Sequence, residues 1–532
     1  MDSCGVMRGN KNGVETRLRR EKAPHLLDVD GDSCHHIHNS SKKLCEPFAR
    51  YLESLFNDLH ADFQYCSEYA QFLEEICGMI SIKYSKPARF IPHRWLSAYD
   101  ISLQTTMLYD AYVIFYYPFL SNEDKKTYKE VTEKIFADRG VSADGVKKLQ
   151  AKISAKKMTD DGKQRKKRMC LKILMTDITT KLQLSFYTSK MQILKQYVLL
   201  FQSADTLVHQ LHEQQFKTFK EFLACFMKAE HLVTLTPKTA KTMTFGNPEE
   251  VLHPMSMYIG SAAEEIIMKL NKKDSNVRTF LSQAQDAFIQ CAAQMQKTLP
   301  LNNRTLKSLA AIDPALANHS QGTKMLKRLA LEDFQHLLNE GEEEGVRKEL
   351  LQYSTDNTIS DVNNNVVEWW ARVQAKGSYP LLCKVATACL SIFHGPAVES
   401  SFNCLGDIVD SKAASMEVET YSAYQTVRYA LKARHTTAMA YFSKKDVNQN
   451  AQIDKHMCVQ MRMAAQRYKK VQAEKREKKG KKLKSVKSVK EQIQNVSKMD
   501  YDNHVEAEMA RAKKRVMKEK LLALAKKRKI SG

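Results

Sequence analysis

The stretch HGPAVESSFN, His394 to Asn403, sets one acid, Glu399, among small and apolar neighbours, with Phe402 three positions further on. A carboxylate placed this way has two readings. It is one leg of a divalent-metal site, or a charge near a helix start, where the helix dipole favours it. DVDGD, Asp28 to Asp32, hints at calcium. An EF-hand loop opening at Asp28 needs Gly at 33 and Glu at 39, and Ser33 and Asn39 stand there, so solvated turn acids are the reading. Cys34, His35, His36 and His38 are ligand types for zinc, but close neighbours on one short segment do not complete a tetrahedron without a distant partner. No metal site is therefore assigned. DDGKQRKKRMC, Asp160 to Cys170, reads as a solvated helix face, with phosphate contact as the alternative.

These residues must be positioned by a chain of 532 residues, too long for one compact core, so two to four domains are expected. It is 43% hydrophobic with only 18 Gly and 12 Pro, a composition that suits a folded, helix-rich protein. No apolar run is long enough for a transmembrane helix, and the N-terminus lacks the apolar segment of a secretory signal, so no membrane partner is expected. The 12 cysteines are scattered with no Cys-x-x-Cys pair, which argues against a zinc ribbon and fits reduced thiols in cytosol or nucleus.

The net charge is +23, but residues 455–532 hold 25 Lys/Arg against 8 Asp/Glu, so most of the excess is in the tail. Within it, Lys475, Arg476, Lys478, Lys479, Lys481, Lys482 and Lys484, then Lys526, Lys527 and Arg528, are the candidate nucleic-acid contacts. The same runs suit nuclear import, so a nuclear location is expected. Residues 1–454 carry 58 basic and 52 acidic groups, too even a balance to mark a nucleic-acid surface by charge alone.

Along the chain, PHLLDVD (Pro24 to Asp30) reads as one short strand without a partner nearby. Leu44, Phe48, Leu52, Leu55, Phe56 and Leu59 recur at three and four, one face of a helix. DISLQTTMLYDAYVIFYYPFL predicts an apolar helix ending near Pro118, and Ser121 and Ser142 are candidate helix N-caps. Residues 121–360 read as helical with mixed charge, including at least two long helices between Ser189 and Met227. TLTPKTAKTMTFGNPEE reads as a loop and NGEEEGVRKEL as a charged, exposed connection. YPLLCKVATACLSIF and TYSAYQTVRYALKAR predict two further helices, and the tail reads as long, poorly packed helices broken near Gly480.

The region around Glu399 resembles the C-terminal dimerisation region of hAT-superfamily transposases. The matches are Trp369-Trp370, the Tyr379-Pro380 helix start, Glu399, Phe402, and Gly406 with Ile408. IPHRWLSAYDISL is similar to the family's Arg-Trp motif, through Arg94 and Trp95, and GDSCHHIHN to its Cys-x-x-His region, with altered spacing. In that family two aspartates and a glutamate hold two divalent metals for DNA strand transfer. The resemblance puts Glu399 at the glutamate and Asp2 at the second aspartate. It leaves no place for the first aspartate in a chain that opens at Asp2, and Ser400 stands where the family often has Arg.

The resemblance therefore implies a mainly α chain. It would be the remnant of an RNase H-like α/β fold with most of the sheet missing, plus a large all-α insertion and a basic helical tail. The expected divisions are 1–120 (truncated RNase H-like segment), 121–365 (insertion), 366–435 (dimerisation region) and 436–532 (tail). Trp369, Trp370, Tyr379, Leu382, Phe393 and Phe402 supply more large apolar surface than a short segment buries alone, so they are the candidate homodimer contacts. The expected protein is not an enzyme, keeps Asp2 and Glu399 as relics, needs no cofactor, takes no small-molecule substrate, and pairs with itself and with DNA or RNA. In the alternative it is a fragment of an active DNA transposase, and only then would Mg2+ be needed.

Overall fold

The computed structural model describes residues 9–474 except 10, 28, 30–31, 93, 203–204, 271–273, 357–364, 393–417, 435, 444–455, 457, 460–461, 465 and 471–472. The described residues are mainly helical, and the one pairing of extended residues among them is an antiparallel bridge between Met227 and Val251. The chain forms two compact units, Met1–Ser415 and Met416–Gly532, a division that falls inside 366–435. No described helix is long and apolar enough to cross a membrane.

The principal helices of the first unit are α1 (Ser33–Cys45), α2 (Tyr51–Gln64), α3 (Ser67–Met79), α4 (Ser97–Met107), α5 (Tyr109–Tyr116), α6 (Asp160–Cys170), α7 (Asp177–Phe201), α8 (Leu211–Leu223), α9 (Ser275–Thr298), α10 (Arg304–Ser308), α11 (Ser320–Arg328), α12 (Glu342–Thr355), α13 (Val366–Ala375) and α14 (Pro380–Leu390). In the second unit α15 spans Val418–Ala433. The 25-residue α7 is the central post and packs against α1, α4, α8 and α9. At its middle, Phe186 meets Phe48 and Phe288 at ring-centre distances of 5.4 and 5.3 Å. Tilted aromatic pairs of this kind each add about 0.5–1.5 kcal/mol beyond the area they bury.

The α1–α2 pair shows what periodicity reveals and what it hides. Leu44, Phe48, Leu52, Leu55, Phe56 and Leu59 are all buried, as their spacing predicts. They do not share one helix. Pro47 removes a backbone donor, α1 gives way to a 3-10 turn over Glu46–Phe48, and Ala49 and Arg50 turn left-handed at φ 51° and 59° before α2 begins. The apolar helix expected to end near Pro118 is similarly divided at Leu108 into α4 and α5.

Three expectations are corrected. Pro24–Leu27 and Val29 are turn and coil, not strand. With no ladder beside it, the Val29 carbonyl accepts instead from the Asn303 side chain at 3.1 Å. NGEEEGVRKEL is not a connection: Gly341 turns left-handed and α12 starts at Glu342, with three glutamates in its first turn, where the dipole favours them. Nor is DDGKQRKKRMC a wholly solvated face. Arg168 grips Asp58 with two bonds of 2.9 and 2.7 Å, and Arg165 meets Asp62 at 3.2 Å. Lys166, its side chain 3% exposed, pairs with Asp62 at 2.8 Å. Its ammonium lies 4.3 Å from the Tyr69 ring centre and 5.1 Å from that of Phe115. Of the two candidate caps, Ser121 accepts from the Asp124 amide at 3.1 Å, while Ser142 occupies the cap position without a side-chain bond.

Candidate dimerisation region

Helices α12, α13 and α14 form one aromatic-centred layer of the first unit. On α12 the buried residues Val346, Leu350 and Tyr353 recur at four and three. Across from them α14 opens at Pro380, whose missing N–H costs nothing in the first turn. The amides of Leu381 and Leu382, unsatisfied at any helix start, donate to the Glu349 carboxylate at 3.2 and 2.9 Å. One helix thus caps the next. Gly345 allows the close approach, since a Cβ there would sit 2.9 Å from a Leu381 methyl.

The centre is a stack of four rings. Tyr353 lies nearly parallel to Trp370 at 5.7 Å and edge-on to Tyr379 at 5.5 Å, and Trp369 meets Trp370 edge-on at 4.9 Å. The Trp370 indole N–H donates to the Ile312 carbonyl at 2.8 Å, which ties α13 to a turn far back in the sequence. Tyr379, left-handed at φ 50°, donates its hydroxyl to Asp356 at 2.8 Å. Burial first, then the Asp356 carboxylate, hold that phenol up at about 12.

Residues 349–431 match the family model of the hAT family C-terminal dimerisation region. Over these residues the chain is similar to hAT transposases. The region points to a homodimer. No curated protein and no solved structure matches the chain.

Within the hAT-type region the candidate residues divide. Trp369, Trp370 and Leu382 are buried by the chain's own helices, at 6%, 3% and 0% exposure, and Tyr379 is half-buried. Phe393, Phe402 and Glu399 lie outside the described residues. Sequence reasoning passed over the apolar side chains that face out: Leu351, 68% exposed on α12, Val367, 40% exposed on α13, and Tyr424 and Val427 on α15. For Leu351 a signal exists. Beside buried Leu350 it lies about 100° round the helix, off the buried face.

Elsewhere, Trp95 is buried with its ring edge-on to Phe90 at 5.3 Å, anchoring the turn before α4, and Arg94 is exposed. Cys34, His35, His36 and His38 are spread around α1, which Asp32 caps by accepting from the His35 amide at 3.2 Å. Among the described residues no three His, Cys, Asp or Glu side chains converge as a cation site. Asp2 and the candidate tail cations Lys475, Arg476, Lys478, Lys479, Lys481, Lys482, Lys484, Lys526, Lys527 and Arg528 lie outside the described residues.

Proposed function

We propose that this is a transposase-derived protein that works by pairing with a second copy of itself, without transposase chemistry, and that its basic tail contacts nucleic acid in the nucleus. The observation that carries the reading is the dimerisation-region match over 349–431. The architecture supports it: the aromatic stack makes a rigid platform, and Leu351 and Val367 leave apolar surface on its outside. In a two-fold pair one such patch serves both subunits. Loss of catalysis is supported by Ser400 standing where the family often has Arg. The 25 Lys/Arg against 8 Asp/Glu in residues 455–532 suit salt-sensitive, sequence-tolerant binding of phosphates.

Sedimentation of the full chain over a concentration range tests the pairing. Wild type should run as a dimer at micromolar concentration, and Leu351→Glu with Val367→Glu should shift it to monomer with an unchanged melting temperature. Trp370→Ala should instead lower the melting temperature. A wild-type monomer at micromolar concentration overturns the reading. Removing residues 455–532 should abolish most nuclear accumulation and flatten the salt dependence of DNA binding.

One observation favours a second reading. Glu399 falls inside the matched region at the family's glutamate position, as in a fragment of an active transposase that uses Mg2+. Metal-dependent DNA nicking by the pure chain, abolished by Glu399→Gln, would establish that reading in place of the first.

A further inference from the structure

Residues 301–330 hold five cations, Arg304, Lys307, Lys324, Lys327 and Arg328, and one acid, Asp313. These 30 residues thus carry a net charge of +4. Asp313 caps the turn that follows it, its carboxylate accepting the Ala315 amide at 2.9 Å. The fold brings the two cationic stretches together. α10 and α11 wall a cleft of about 310 Å³, with Arg304 and Lys307 on one side and Lys324 and Arg328 on the other. Gly322 lets α11 lie against the turn that precedes it, since a Cβ there would stand 2.1 Å from the Leu316 carbonyl oxygen.

The acids nearest this cleft are already engaged. Glu332 and Asp333 pair with Arg328 at 3.2 and 3.7 Å, and Asp333 also accepts from Thr305 at 3.0 Å. Arg304, Lys307 and Lys324 are exposed and have no acidic partner among the described residues. Like charges three and four apart on a helix repel one another, so the arrangement costs stability until an anion fills it. Concave walls of one sign focus the field, and Arg and Lys donors make strong charge-assisted bonds to phosphate oxygens. The volume equals that of about ten liquid waters, more than a single phosphate needs.

We propose that the cleft between α10 and α11 binds a free anion carrying closely spaced phosphate groups. The proposal rests on residues 304–328 and does not depend on what the tail binds.

Lysine acylation of the full chain, read peptide by peptide, reports on the cleft apart from every other cation. With tripolyphosphate at physiological salt, modification of Lys307 and Lys324 should fall several-fold while exposed Lys147 and Lys148 react as before. Arg304→Glu, a change at an exposed side chain, should abolish the protection and leave the melting temperature in place. Equal modification with and without tripolyphosphate, or equal protection of Lys147 and Lys148, overturns the proposal. Protection by a single-stranded oligonucleotide but not by tripolyphosphate overturns it as well, and assigns the cleft to a polymer backbone.

Discussion

Two lysine- and arginine-rich helices of this chain meet opposite fates. On α6, Arg165, Lys166 and Arg168 turn to Asp58 and Asp62 of α2 and become part of the fold. On α11, Lys324 faces Arg304 and Lys307 of α10 across an open cleft. The two helices look alike as charge runs. What separates them is the facing element: α2 brings two aspartates from more than 100 positions away, and α10 brings more cations. A run of positive charge is structural where the opposing helix is acidic, and a binding surface where it is not.

The largest effect should come from breaking the buried pair. Asp62→Ala leaves Lys166 charged, buried and unpaired, and should cost about 3–5 kcal/mol of unfolding free energy, read from urea midpoints. Asp62→Leu with Lys166→Met should lose less than Asp62→Ala alone. Burial already lowers the Lys166 pKa from the ordinary lysine value, and Asp62 pulls it back up. Without Asp62 the folded state sheds that proton more readily than the unfolded chain. The deficit of Asp62→Ala should therefore narrow as pH rises towards 10.5, the ordinary lysine value.

His38 shows what happens to a titratable base whose burial is only partly compensated. Burial holds it down at about 4, with Asp32 recovering a part, and its Nδ1 has no hydrogen-bond partner. Its folded pKa lies below the unfolded value of 6.5, so the unfolded chain binds the proton first. Stability should fall as pH drops from 6.5 to about 4, by about 3 kcal/mol, and His38→Leu should flatten that slope.

At the exposed end of the α2–α6 contact the effects shrink. Arg168→Ala should cost only about 0.5–1 kcal/mol, because that side chain is 52% exposed and water screens its bond to Asp58. Smallest of all, Lys324→Glu should leave stability within about 0.5 kcal/mol of wild type, or raise it by relieving repulsion across the cleft. A loss as large as that of Asp62→Ala would show that α11 is held by its charges as α6 is, and the contrast would fail.

The sequence by itself determined the helical class, the buried faces and the hAT-type region. Leu44 to Leu59 kept their spacing in the core, the Ser121 cap formed, and the Trp369-Trp370 and Tyr379-Pro380 pairs mark the segment that the family model matches. These are local properties: periodicity, cap chemistry and motif spacing act within a few residues of themselves. Only the tertiary structure decided which charges are spent and which stay open, and which aromatics face inward. The Trp370 indole is satisfied by Ile312, 58 positions away, so its burial is invisible to any local pattern. Lys166 is buried against its partner Asp62, and Arg304 and Lys324 line one cleft although 20 positions separate them. Pairing energy depends on distance in space, and a helix surface carries no record of what the fold will set opposite it.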